Sequence, residues 1–125
     1  MITMTQILHK HPPALSIRAG KLARQLIQSE GLQAEQVDIV PGAAGGPKGI
    51  GIQGLDQAIF GEFFARAPQR RTLIGSSIGS WRFASILAHG AKAGTERLGE
   101  LYTNLYFDKK MQRQEVSDIC RGMLL

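Results

Sequence analysis

Leu73-Ile-Gly-Ser-Ser-Ile-Gly-Ser-Trp-Arg82 is the stretch on which the fold turns. Thr72-Leu-Ile74 at its head is a short apolar run of the kind that forms a strand. Ile78 to Ala88 behind it is largely apolar and predicts a buried helix. Between them, Gly75-Ser-Ser-Ile-Gly79 fits G-x-S-x-G, a pattern that belongs to a sharp strand-to-helix turn. Side chains flanking the central serine would collide with neighbouring backbone there, which is why glycine stands at both Gly75 and Gly79.

Upstream the arrangement repeats. Val37-Asp-Ile-Val40 reads as a buried strand bounded by Pro41-Gly42. Gly42-Ala-Ala-Gly-Gly-Pro-Lys-Gly49 is a glycine loop, and Ile52, Leu55, Ile59, Phe60 and Phe63 then recur at helical spacing until Pro68. Further back, Ile17, Leu22, Leu26 and Ile27 suit an amphipathic helix over 16–30, ended by Gly31, while residues 1–15 read as a flexible arm. Downstream, Gly90 and Gly94 bracket a turn. Leu98, Leu101, Tyr102, Leu105 and Tyr106 then mark one helix face, as do Val116, Ile119, Cys120, Met123 and Leu124. Strands alternating with helices predict an α/β fold with a parallel sheet. Two strands are few for such a sheet, and the last helix runs out on Met-Leu-Leu, so residues 16–125 read as the N-terminal part of a longer domain.

Bulk properties narrow the partners. The 125 residues carry a net charge of +5, but the basic residues are scattered and no run marks a nucleic-acid tail, so no specific nucleic acid is expected. An anionic membrane surface remains a compatible neighbour for that charge. No apolar stretch approaches the roughly 20 residues of a spanning helix, and the interrupted N-terminus has no secretory h-region, so the expected location is cytoplasmic. Cys120 is the single cysteine, which rules out an internal disulfide. No cluster has metal-ligand spacing, and no metal or cofactor is expected.

The elbow carries the chemistry. Ser77 at a helix N-terminus sits beside backbone N–H groups and the positive end of the helix dipole, as an acyl-transfer nucleophile requires. The N–H of Ile78 faces a developing oxyanion. Three readings compete for the glycine loop. A Walker A loop needs Gly-Lys-Ser/Thr, whereas this one has Pro47-Lys48-Gly49, so the magnesium-binding hydroxyl is missing. Gly49-Ile-Gly-Ile-Gln-Gly54 matches a dinucleotide fingerprint formally but falls inside the expected helix. An oxyanion loop paired with the elbow accounts for both glycine clusters.

The ordered pair of a Gly-Gly-x-Lys-Gly loop at a strand end and a G-x-S-x-G elbow downstream resembles the patatin-like phospholipases, over roughly residues 16–107. The resemblance implies a three-layer α/β/α sandwich and a lipid ester substrate. It makes Gly45 and Gly46 oxyanion donors, Lys48 the family's basic position, Gly49 the closing glycine and Ser77 the nucleophile. Ala43 and Ala44 stand where many members have Asp and Gly. The family's base is an Asp in D-G-G or D-G-A, and neither Asp108-Lys109 nor Asp118-Ile119 fits. Asp56 is expected to be a solvated or ion-paired helix residue. His89 lies about 18 Å along the elbow helix at 1.5 Å per residue, out of reach. The chain is therefore expected to have little esterase activity alone. The alternatives are a non-catalytic fragment and a small nucleotide- or partner-binding α/β module. Arg82 in an apolar helix calls for an internal ion pair. Trp81, Phe83, Tyr102, Tyr106 and Cys120 are expected to serve packing.

Overall fold

A computed structural model describes residues 15–123. The N-terminal arm up to residue 14, with His9 and His11, and Leu124 lie outside the described residues. The chain divides into two compact units at residue 33. In the first, helix α1 spans Lys21–Glu30, starting later than the apolar spacing predicts because Gly20 serves as its N-cap. Gly31 ends it in a left-handed conformation (φ 76°), donating its N–H to the Ile27 carbonyl at 2.9 Å.

The second unit is built on two parallel strands, β1 (Ile39–Gly42) and β2 (Thr72–Gly75). Ile39 pairs with Thr72, Val40 with Leu73, Pro41 with Ile74 and Gly42 with Gly75. Side chains alternate across a strand, so Val40, Gly42, Leu73 and Gly75 share one face. That face carries helix α4 (Ile78–His89), whose Phe83 packs directly over Gly42. The opposite face holds Ile39, Pro41, Thr72 and Ile74, all exposed. Val37-Asp-Ile-Val40 reads as a buried strand in the sequence; in β1 only Gly42 is fully buried and in β2 no residue is, because one layer of helix covers one face.

The predicted single helix between the strands is three kinds of helix in succession. Helices α2 (Lys48–Gly51) and α3 (Gln53–Asp56) are separated at Ile52, whose φ −100° and ψ 17° break the ladder. A π-helical stretch follows over Gln57–Phe63, then a 3-10 turn over Phe64–Arg66. Ala67 leaves helical geometry (φ −138°, ψ 84°) because Pro68 excludes it from the residue ahead. This segment forms one core cluster from Ala34, Phe64 and Ala67, with Phe60 set edge-on to Phe64. Arg71 staples the cluster. Its guanidinium donates to the carbonyls of Ala34, Val37 and Ala67 at 2.8–3.0 Å and lies over the Phe64 ring.

After α4 the chain turns at Gly90 (φ 87°) into α5 (Ala91–Thr103), then reaches α6 (Arg113–Gly122). Gly94 was expected in the turn; it lies inside α5 instead, with its Cα against the Ser85 backbone of α4. The predicted helix face also stops short: α5 ends at Thr103, and Tyr106 is 75% exposed. A second core cluster joins Ile78 of α4, Leu98 of α5 and Met123 after α6. The class is mixed α/β with a two-strand parallel sheet, as the strand–helix alternation predicts.

Candidate active site

Ser77 occupies φ 52° and ψ −123°, and is the only non-glycine residue with positive φ among the described residues. Two glycines hold it there. A Cβ on Gly75 would strike the Ser80 and Gly79 backbone, and one on Gly79 would strike the Gly42 carbonyl at the end of β1. The Ser76 N–H donates to that same Gly42 carbonyl at 2.9 Å, fixing the elbow to the neighbouring strand. Serine at a helix N-cap ordinarily turns its hydroxyl back onto the first-turn amides. Ser77 does not: it is the N-cap of α4 and its hydroxyl caps nothing. The side chain is exposed and free to react.

Two backbone amides stand ready beside it. The N–H of Ile78 heads the helix and donates to no group among the described residues. The N–H of Gly46 is equally unused, and Gly46 is in the left-handed region at φ 55°. Gly46, Ser77 and Ile78 line one cavity of about 200 Å³. Ser77 and the two residues with unused amides thus border the same space. The alanines at 43 and 44 fit the loop without strain, since neither has positive φ.

The rest of the predicted loop set is placed elsewhere. Gly45, Lys48 and Gly49 line a separate, larger cavity of about 420 Å³ that does not include Ser77. Gly49 is buried for packing, since a Cβ there would press on Ile78 at 2.7 Å. Lys48 is exposed and forms no ion pair among the described residues. The larger volume is the less reactive place. Its charged wall is the buried pair Asp56–Arg82, in which Nε and Nη2 meet the two carboxylate oxygens at 2.7 and 2.5 Å. This bidentate geometry occupies both carboxylate oxygens, so Asp56 is committed to Arg82.

No aspartate, glutamate or histidine is among the residues lining the Ser77 cavity. His89 ends α4, at the far end of the helix that Ser77 begins. No group of metal-ligating side chains occurs among the described residues. Trp81 and Tyr102 pack against the second core cluster, as the sequence reading expects, and with Cys120 they also line this cavity, which that reading missed. Tyr102 places its hydroxyl next to Gly46, 3.7 Å from where a Cβ on that glycine would stand. The signal was present only in three dimensions, because helical periodicity cannot separate a core face from a cavity wall. Comparison with protein-family models, curated proteins and solved structures gives no match to this chain.

Proposed function

We propose that this chain forms the nucleophile and oxyanion half of a patatin-like acyl-ester hydrolase acting on lipid esters, with one helical layer of the expected α/β/α sandwich on its sheet. The observation that carries the reading is the strained Ser77, its hydroxyl free, in one cavity with the unused amides of Gly46 and Ile78. In the reaction Ser77 Oγ attacks the ester carbonyl carbon, and the carbonyl oxygen takes up the displaced electron pair as an oxyanion. The two N–H groups donate to that oxygen as charge develops. A single such donor is worth about 10²–10³ in rate. The chemistry requires no cofactor.

Proton removal from Ser77 is the weak step, because no carboxylate or imidazole lines the cavity. Acylation by an ester is therefore expected to be slow, and a phosphonyl fluoride, with its better leaving group, is the probe suited to detecting Ser77. Lys48, exposed and unpaired beside the same loop, supplies positive charge toward an anionic lipid surface. No helix among the described residues is long and apolar enough to cross a membrane.

The test is covalent labelling with an alkyl fluorophosphonate, in which Ser77 Oγ displaces fluoride from phosphorus. Labelling of the wild-type chain, absent in Ser77→Ala, supports the reading. A folded wild-type chain that takes up no more label than Ser77→Ala sinks it. Thermal stabilisation by a mononucleotide in place of labelling would instead favour the nucleotide-binding module.

A further inference from the structure

The cavity that holds Ser77 also has a chemistry and a size. Beyond the elbow and loop, its wall comes from Trp81 of α4, from Tyr102 of α5, from Leu105 and Phe107 after it, and from Cys120 of α6 and Met123 just beyond. Every one of these is apolar or weakly polar, and no charged side chain lines the space. No charged side chain there offsets the charge of a phosphate or ammonium head group, and the polar groups are the Gly46 and Ile78 amides with the Ser77 and Tyr102 hydroxyls. The occupant that fits is the hydrocarbon side of the ester, with the alcohol side directed away.

Volume then limits the hydrocarbon. A cavity of roughly 150 Å³ encloses a six-carbon guest such as benzene, and this one measures about 200 Å³. It falls below the roughly 300–1,000 Å³ of sites that enclose larger ligands. Resting on the acyl-hydrolase reading above, we infer that Ser77 is selective for short acyl chains, of about six to eight carbons, with Trp81, Leu105 and Met123 forming the acyl pocket. The substrate class is thus a short-chain acyl ester; the pocket is half open, so the far part of a longer tail runs out into water and gains nothing further.

Each methylene that enters an apolar pocket strengthens binding about fourfold. Beyond the chain length that fills the space, added methylenes remain in water and contribute nothing. The experiment compares labelling rates of alkyl fluorophosphonates from two to sixteen carbons, below the concentration at which the longest forms micelles. The expected profile rises about fourfold per methylene and breaks at about six to eight carbons. In Leu105→Ala the break moves to longer chains, and in Cys120→Phe, which fills part of the space, it moves to shorter ones. Circular dichroism decides which of the two variants is folded and is read. A profile flat from two to eight carbons, one still rising at sixteen, or a break that neither folded variant moves overturns the acyl-pocket assignment while leaving Ser77 as nucleophile. Absence of labelling at every length overturns both.

Discussion

Ser77 holds a backbone conformation that costs a non-glycine residue of order 1–3 kcal/mol, and the surrounding contacts maintain it. Glycine adopts positive φ without that strain but loses about 0.5–1 kcal/mol more conformational entropy on folding. The balance favours release of strain. Ser77→Gly is expected to raise unfolding free energy in urea by about 1 kcal/mol while abolishing covalent labelling. Equal or lower stability would mean that the elbow is not strained. This residue was legible in the sequence because G-x-S-x-G encodes a steric requirement local to five positions. Arg82 was legible in part: its place in an apolar helix demanded a partner, but the partner lies 26 positions away in the chain, where no periodicity points. Tyr102 was not legible as a cavity residue, since its neighbour Gly46 is brought to it only by the packing of separate elements.

Elements meet in this fold through glycines that the sequence cannot rank. Gly94 and Gly54 both lie inside helices, yet their surroundings are opposite. A Cβ on Gly94 would enter the Ser85–Ile86 backbone of α4, where the Ser85 hydroxyl also donates to the Gly94 carbonyl at 2.8 Å. A Cβ on Gly54 meets nothing within 4 Å. Gly94→Ala must separate α4 from α5 and is expected to cost about 2 kcal/mol or more. Gly54→Ala removes a poor helix former from an open position, with an expected gain of about 0.5–1 kcal/mol. Denaturant titration of the two variants checks the contrast, and the same sign for both would show that these helices do not pack as described. Misplacing Gly94 in a turn has a clear cause. Glycine near a helix end signals a turn by backbone preference, whereas here it marks the close approach of two helices. The broken helix between the strands has another cause: its apolar spacing survives the change from α to π winding, so the spacing alone could not reveal it.

At the scale of the whole second unit, its described residues cover the sheet on one face only. Parallel strands ordinarily carry helices on both faces, which is why their sequences read as continuous apolar runs. The alternation of Val37-Asp-Ile-Val40 and Thr72-Leu-Ile74 with helical segments led to the parallel α/β class, and the class is what the structure has. Their composition could not tell which face would be left open. Ile39 is 59% exposed and Ile74 is 56% exposed, set diagonally across the two strands with Pro41 directly opposite Ile74. Contiguous apolar surface of this kind, next to unpaired strand edges, favours association. The net charge of +5 opposes it, so association should strengthen as salt screens that charge. Replacing both isoleucines by lysine removes the apolar contact and adds charge at positions that carry little of the fold's stability. Ile39→Lys with Ile74→Lys is expected to shift sedimentation toward the monomer at high salt, with thermal stability little changed, since surface substitutions usually stay within about 0.5 kcal/mol. If the wild-type chain sediments as a monomer at every salt and protein concentration, the open face is not an associating surface. If the double variant unfolds instead, the two side chains support the sheet more than their exposure indicates.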